Sequence, residues 1–393
     1  MRELFQLDPD LIFLNHGSFG ACPREVLQAQ RRWQDEMEAN PVAFLSRRSG
    51  ALLGQARSVL GDYLGARADD LAFVPNATTG VNIVARSLQL RPGDEVLTSN
   101  HEYGACDATF RFACERSGAL YKRVHIPLPY QASAFVERLM AEVTPRTRLI
   151  FVSHITSATA LIFPVADLCR AARARGVLTL IDGAHAPGQL PLNIEDIGAD
   201  FYTGNGHKWM CGPKGSAFLY ARREHHSTLH APVVSWGYVA EAIQADTEGS
   251  TLAFDRYTGT SILQRRLQWQ GTRDISAWLA LPAAIEFQRG HDWPTVRRRC
   301  HVAAVEVMHA LCQRWGLEPI ARDEDFGQMT AIPVPHPDAA ELQRRLYDES
   351  RIEIPVTQHE GRTFIRISVQ GYTTEAEVRA LLEAPALQSP AQP

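Results

Sequence analysis

The stretch Val177-Leu-Thr-Leu-Ile-Asp-Gly-Ala-His185, together with Gly206-His-Lys-Trp209, decides the fold of this 393-residue chain. Residues 177–181 are an apolar run of the kind that forms a strand buried on both faces, and Asp182 stands at its end. Lys208 follows 26 residues after Asp182, among glycine, proline and apolar neighbours that are unusual for a solvated lysine. The two segments therefore predict a buried acid and a buried lysine at one edge of a parallel sheet.

An acid and a lysine in this setting are what the chemistry of pyridoxal phosphate (PLP) requires. The acid keeps the pyridine nitrogen protonated, and the lysine holds the aldehyde as an imine and later moves protons. Burial lowers the pKa of a lysine and frees its amine to attack. A helix cap is the commoner fate of an Asp after a strand, but His185 three residues later favours the cofactor site. We predict Lys208 as the imine-forming catalytic residue, and Asp182 as the partner of the ring nitrogen. We predict His185 as a contact of the phenolic oxygen or ring edge, or else as a histidine behind the site.

A candidate phosphate site follows the apolar strand Leu71–Val74. Asn76-Ala-Thr-Thr-Gly80 opens a helix there, and free N–H groups with the hydroxyls of Thr78 and Thr79 suit a phosphate. Asn and Thr also cap many helices that bind no ligand, so this motif indicates a phosphate site only in combination with Lys208. Asn205 and His207, beside Lys208, are candidate donors to the same phosphate.

Two further side chains are candidates for contacts with the ring and the substrate. Tyr103 follows another strand and precedes Gly104, which permits close approach, so we predict that it stacks on the ring face opposite Lys208. His101 is the alternative for that place. Arg366 lies inside the apolar strand Phe364–Val369, where a guanidinium is costly without an anion. We predict that Arg366 binds a substrate carboxylate, with a structural ion pair as the alternative.

The order of the elements predicts an α/β fold. Apolar strands alternate with helices up to about residue 284, which indicates a mostly parallel sheet covered on both faces. The pattern then changes to a long helix followed by strand, helix and strand. We predict an N-terminal arm (1–20) that packs near the active site, a large domain (21–284), a smaller α+β domain (285–383) and a disordered tail (384–393).

Composition excludes several classes of protein. The net charge is −4, which gives no sign of a nucleic-acid partner, and no apolar run approaches the roughly 20 residues of a membrane span. The acidic N-terminus does not look like a signal peptide. Seven cysteines without CxxC spacing suggest reduced thiols in the cytoplasm, and the 14 histidines show no zinc signature. We expect a cytoplasmic enzyme without a metal site.

Nine stretches resemble the class V aminotransferase branch of fold-type I PLP enzymes, and most of all the isopenicillin N epimerase-like proteins. They run in order from Phe13–Pro23 through Asn40–Arg48, Asn76–Gly80, His101–Ala105, Ser153–Ala160, Asp182–His185, Gly206–Trp209 and Gly271–Asp274 to Arg366–Ser368. The resemblance implies a seven-stranded-type sheet and a homodimer with its sites at the subunit interface. It also implies that Asn15 and His16 lie near the substrate, and that Thr156 and Ser157 lie near the cofactor or substrate. The loop with Thr272 would reach the phosphate of the neighbouring subunit; a plain helix cap is the alternative.

The resemblance implies an amino acid or similar amine as substrate, with proton chemistry at Cα as in an epimerase or racemase. Racemisation needs proton delivery on both faces of Cα; Lys208 can serve one face, and Tyr103 or a water molecule is the candidate for the other. A Cβ–S lyase or an aminotransferase is the alternative, and a catalytically idle binding protein of the same fold is a third possibility. Cysteine desulfurases carry a cysteine shortly before the carboxylate-binding arginine, and residues 351–363 contain none. Idle copies are free to lose the lysine and the acid, whereas Lys208 and Asp182 are both present here.

Overall fold

The computed structural model describes residues 1–238, 259 and 261–388. The described residues form a seven-stranded sheet, a three-stranded sheet and a short two-stranded pairing. Within this part of the chain, no helix is long and apolar enough to cross a membrane. The same residues contain no group of three or more His, Cys, Asp or Glu side chains that could hold a metal ion.

The chain begins with short elements that lead into two long helices. In chain order these are β1 (Ile12–Phe13), α1 (His16–Phe19), α2 (Arg24–Ala39), α3 (Pro41–Ala43) and α4 (Ser49–Leu64). Helix α2 is amphipathic and buries one stripe of residues, Val26, Ala29 and Met37. It ends at Asn40, whose Oδ1 accepts the Ala43 N–H over 2.9 Å and so caps α3.

The seven-stranded sheet confirms the predicted mostly parallel architecture. Its order is β2-β8-β7-β6-β5-β3-β4, and only β8 runs antiparallel to its neighbours. The central strands are almost wholly buried, because helices cover both faces and leave the strands no polar side. The strands are β2 (Leu71–Val74), β3 (Glu95–Ser99), β4 (Leu120–Val124), β5 (Thr147–Ser153), β6 (Leu178–Gly183), β7 (Phe201–Asn205) and β8 (Ala217–Ala221).

Helix α5 packs very closely against one face of this sheet. A Cβ on Gly80 of α5 would lie 2.2 Å from Oγ1 of Thr203 in β7, so only glycine fits there. The close approach brings the start of α5 to the ends of the central strands. The helices are α5 (Ala77–Ser87), α6 (Gly104–Ser117), α7 (Ala132–Ala141), α8 (Val165–Ala174), α9 (Ile194–Ile197), α10 (Ile262–Gln268), α11 (Ser276–Leu279) and α12 (Leu281–Gly290).

The C-terminal part is the α+β unit that the sequence predicts. Its antiparallel sheet has the order β11-β12-β9, and β1 of the arm pairs in parallel with β10. The arm is therefore attached to the C-terminal unit, while the boundary at residue 285 stays a prediction. The elements are α13 (Trp293–Trp315), β9 (Met329–Val334), α14 (Ala339–Ser350), β10 (Ile352–Glu353), β11 (Val356–His359), β12 (Arg362–Ser368) and α15 (Glu375–Glu383).

The start of the tail differs from the sequence-based expectation. Residues Pro385–Leu387 form one turn of 3-10 helix, and Ala386 and Leu387 are buried in the main core. These apolar side chains pack because they lie next to the end of α15. Residues 389–393, the rest of the predicted tail, lie outside the described residues.

Candidate active site

A cavity of about 390 Å³ lies where the arm, the start of α5 and the ends of β5, β6 and β7 meet. Ligands of parallel sheets bind at this edge, because strand ends and helix N-termini converge there. Eight predicted site residues line the cavity: Thr78, Tyr103, Ser157, Asp182, His185, Asn205, His207 and Lys208. The wall is completed by Ser18, Phe19, Pro75, Asn76, Ala77, Ser153, Ile155, Ala184 and Gly215.

Asp182 is a buried acid in the floor of the cavity. It lies near the end of β6, in register with Ser153 of β5 and Thr203 of β7. Its Oδ1 accepts the Ala184 N–H over 2.9 Å, and its Oδ2 receives only a long contact of 3.5 Å from the Cys106 thiol. Burial raises the pKa of Asp182, because these contacts compensate the charge only in part. A cationic ring N–H is the partner that such a carboxylate needs.

Lys208 and His185 contact each other in the cavity. Lys208 Nζ lies 3.2 Å from His185 Nε2 inside the cavity. Burial lowers the pKa of Lys208 to about 8; the Arg366 charge acts in the same direction, and Asp182 opposes both. At neutral pH a larger share of this amine than of an ordinary lysine is therefore uncharged and can attack an aldehyde.

The opposite end of the cavity is built to receive an anion. Asn76 caps α5 by accepting the Thr79 N–H over 2.8 Å, and Asn205 Oδ1 accepts the Ala77 N–H over 2.9 Å. Because Oδ1 is already used, the group that Asn205 can offer to an anion is its amide NH₂. His207 donates its Nδ1–H to the carbonyl oxygen of Ser216 over 2.9 Å, so Nε2 is its remaining nitrogen. Burial lowers the pKa of His207 to about 4.

Arg366 lies directly behind the wall formed by Ser18 and Ser157. Its Nη1 donates to the carbonyl oxygen of Ser157 over 2.7 Å, and its Nη2 donates to Ser18 Oγ over 3.0 Å. The side chain is 4% exposed, its Nε has no partner, and burial lowers its pKa to about 10. Among the described residues no carboxylate pairs with Arg366, which leaves a buried cation in need of an anion.

Tyr103 stands at the mouth of the cavity and is 47% exposed. The preceding Glu102, which the sequence analysis did not single out, accepts Ser99 Oγ–H over 2.5 Å and the N–H and Oγ–H of Ser153 over 2.8 and 2.6 Å. Burial raises the pKa of Glu102 to about 7, and Asp182 acts in the same direction. Glu102 thus ties the loop that carries Tyr103 to the end of β5. In the sequence, the only indication of a role for Glu102 was its position next to Tyr103, a predicted contact of the ring.

Besides Arg366, five predicted residues do not reach the cavity wall. Asn15 pairs with Glu353 over 3.3 Å, and the ring of fully buried His16 contacts the Lys208 carbonyl oxygen over 3.1 Å from behind. Thr156 Oγ1 contacts Thr159 Oγ1 over 2.8 Å inside its own loop. The Thr79 hydroxyl donates to Asn76 over 3.0 Å, and Thr272 is exposed outside the cavity. The arm contributes Ser18 and Phe19 instead, since helix α1 turns His16 toward the core.

The residues present fit PLP. The cavity combines an under-compensated buried acid, an amine with a lowered pKa, and the start of helix α5 with a threonine hydroxyl for a phosphate. Asp182 would hold the ring nitrogen, Lys208 the aldehyde, and Thr78 and Asn205 the phosphate. His207, a predicted phosphate contact, lines the cavity, but its neutral ring has its proton on Nδ1 and Nε2 has none to donate. His101, the alternative to Tyr103 as the stacking residue, is 1% exposed and contacts Thr159 and the Ile126 carbonyl instead.

Comparison with known proteins agrees with this assignment. The protein-family model described as "Aminotransferase class-V" matches residues 12–381 of this chain. Isopenicillin N epimerase of Amycolatopsis lactamdurans is 40% identical over 390 residues, which cover 98% of this chain and 96% of that protein. A probable chloroplastic L-cysteine desulfhydrase of Arabidopsis thaliana is 30% identical over 420 residues, covering 97% and 84%.

A solved structure shows the same fold. It is a lysine-to-alanine variant of C-DES with glycine covalently linked to the PLP cofactor, and it superposes with a TM-score of 0.81 at 22% identity. The match covers 98% of this chain and 99% of that one. The predictions of family, fold class and cofactor are confirmed. The chain belongs to the class V aminotransferase family of PLP-dependent enzymes.

Proposed function

We propose that this protein interconverts the two configurations at Cα of an amino acid or a similar amine, as an epimerase or racemase. The observation that carries the proposal is the amine of Lys208 in a cavity bounded by buried Asp182 and backed by buried Arg366. The name of the relative that is 40% identical supports the same reaction type.

Each charged residue has a distinct task in this proposal. Bound PLP supplies an electron sink for the electron pair that remains when the Cα proton leaves. Asp182 stabilises the positive charge of the ring nitrogen through a charge-assisted hydrogen bond. Lys208 takes the proton from one face of Cα and returns it. Arg366 fixes the substrate carboxylate, and with it the direction in which the Cα–H bond points.

The segment before Arg366 supports proton chemistry over persulfide chemistry. Residues 351–363 contain no cysteine and form β10 and the hairpin of β11 and β12. The hairpin tip contacts the loop before α6, because Asn100 Nδ2 donates to Glu360 over 2.7 Å and His101 stacks on His359 with ring centroids 4.3 Å apart. No thiol of this segment can therefore accept sulfur from a substrate.

A single experiment in D₂O tests the reaction type. The enzyme, loaded with PLP, is incubated with a panel of L- and D-amino acids, and deuterium at Cα, chirality and keto acids are measured. Epimerisation predicts deuterium in both enantiomers without accumulating keto acid. Deuterium in one enantiomer only, without inversion, would contradict the proposal.

A Cβ–S lyase is the second candidate, favoured by the relative named as a probable L-cysteine desulfhydrase. It uses the same Lys208 and Arg366, but the proton loss would be followed by departure of the sulfur substituent. Stoichiometric pyruvate and sulfide from L-cysteine in the same experiment would replace the epimerase proposal with the lyase. An aminotransferase would instead convert PLP to its amine form and release a keto acid.

The site also supports a homodimer in the cytoplasm. Phe19, which lines the cavity, is 73% exposed, as expected of an apolar side chain that a second subunit covers. Exposed Thr272 would then complete the phosphate site of the partner. All seven cysteines are buried and free, which fits a reducing compartment.

A further inference from the structure

Trp209, the residue after Lys208, lies between two histidines. Its indole is fully buried, and its Nε1–H donates to Nδ1 of His185 over 3.3 Å. The ring of His16 packs against the indole, with ring centroids 4.9 Å apart and an angle of 56° between the planes. The opposite nitrogen of His185, Nε2, contacts Lys208 Nζ over 3.2 Å. Trp209 and Lys208 therefore contact opposite nitrogens of the same imidazole ring.

We propose that Trp209 is a positioning residue that fixes His185 as the Nε2–H tautomer and so presents a hydrogen-bond donor to the Lys208 amine. An indole N–H can only donate, so His185 Nδ1 must accept and carries no proton. A neutral imidazole has one proton, which then lies on Nε2. The geometry of two contacts on one ring thus assigns the tautomer.

The assigned tautomer has a consequence for Lys208. The Nε2–H group can donate a hydrogen bond only to an acceptor with a lone pair. An uncharged amine has such a lone pair, whereas an ammonium has none. An ammonium at the same place could only donate to Nε2, which would then have to be unprotonated. The imidazole proton would lie on Nδ1 and face the Trp209 Nε1–H, and two donors cannot form a hydrogen bond with each other. The lowered pKa of His185, caused by burial, keeps the ring neutral and agrees with this arrangement. Trp209 thereby favours the nucleophilic form of Lys208.

His16 contacts the backbone of Lys208, at the end of the residue away from the amine. Its Nδ1 accepts the Ala21 N–H over 3.2 Å, and its Nε2 lies 3.1 Å from the Lys208 carbonyl oxygen. The arm approaches this loop closely, since a Cβ on Gly20 would lie 2.2 Å from the carbonyl oxygen of His207. His16 fixes the backbone of Lys208 and the indole of Trp209, while His185 fixes the amine.

The tautomer is directly measurable in protein without cofactor. The enzyme is labelled with ¹⁵N-histidine, and the His185 signals are identified by their loss in His185→Gln. We expect protonated Nε2 and unprotonated Nδ1 in the wild type, and a protonated Nδ1 population in Trp209→Phe. Trp293→Phe is the matched control, because its buried indole donates to the Gly188 carbonyl oxygen over 3.0 Å and touches no histidine nitrogen. Wild-type His185 protonated on Nδ1 would overturn the proposal, even if Trp209→Phe does not fold.

The second measurement follows covalent capture of free pyridoxal by the protein as a function of pH. This measurement rests on the proposed role of Lys208, whereas the tautomer measurement does not. A failure of the Trp209 proposal can therefore be distinguished from a failure of the proposed function. Loss of one hydrogen bond predicts capture about tenfold slower near neutral pH in Trp209→Phe. In a His185→Gln background the same change should have no further effect, because a glutamine amide has no tautomers. Equal effects in both backgrounds would show that Trp209 acts by packing alone.

Discussion

The guanidinium of Arg366 donates to the carbonyl oxygen of Ser157 over 2.7 Å, so that residues about 200 positions apart meet behind the active-site wall. Ser18 from the arm completes the arrangement with its hydroxyl oxygen 3.0 Å from Nη2. Both contacts are to neutral oxygens, and Nε has no partner among the described residues. A buried cation held only by neutral groups gains most from an anion that arrives with the substrate.

Replacing Arg366 with leucine should therefore raise KM for carboxylate substrates much more than it weakens PLP binding. A two-point contact between guanidinium and carboxylate contributes about 2–4 kcal/mol. Arg362→Leu is the control, because Arg362 is exposed on the same strand. Steady-state kinetics and cofactor titration give the two quantities. Parallel losses of folded protein and activity would indicate a structural cation instead.

Covalent capture of pyridoxal should depend on pH through Lys208. Below its pKa of about 8 the amine is protonated, so the rate should rise with pH and level off above that value. Arg366→Leu removes a cation and should move the midpoint upward, whereas Asp182→Asn removes an anion and should move it downward. Lys208→Ala should abolish the borohydride-stable adduct, and Lys214→Gln should retain it. A midpoint near that of a free lysine would contradict the assignment.

Asp182→Asn should leave the fold intact and slow exchange of the substrate Cα proton. A charged hydrogen bond to the ring nitrogen contributes roughly 1.5–3 kcal/mol, which the amide cannot replace. Asp196→Asn is the control, since that side chain is exposed at α9. Deuterium incorporation at Cα measures the step, and an unchanged exchange rate in Asp182→Asn would remove this residue from the mechanism.

The centre of the site could be predicted because backbone periodicity determines it. Apolar strands followed by Asp182 and Asn76 place both at one sheet edge, and Lys208 follows from its apolar neighbours. Side-chain direction in the arm could not be predicted in this way. His16 points to the core because it packs on Trp209 and Tyr372, residues far away in the sequence. Glu102 was missed since its partners, Ser99 and Ser153, are brought together only by adjacent strands.

Mixed dimers should recover activity from two inactive variants. Thr272 is exposed and lies outside the cavity of its own chain, as expected for a residue that serves the partner. Lys208→Ala protein combined with a variant disrupted at Thr272 should form one intact site in each hybrid. Activity after verified subunit exchange measures the effect. An active monomer in sedimentation, or hybrids without activity, would refute the shared site.

Tyr103→Phe should separate proton exchange from inversion. Epimerisation needs a proton donor on each face of Cα, and Lys208 serves one of them. Tyr103 lines the same cavity and is 47% exposed, so we predict that it serves the other face, with a water molecule as the alternative. Without that hydroxyl, Lys208 still exchanges the Cα proton of one enantiomer with D₂O, while formation of the opposite enantiomer falls by about 10²-fold or more. Tyr347→Phe, at an exposed tyrosine of α14, should change neither rate. If exchange and inversion fall together in Tyr103→Phe, the ring serves stacking alone; if neither falls, a water molecule delivers the second proton.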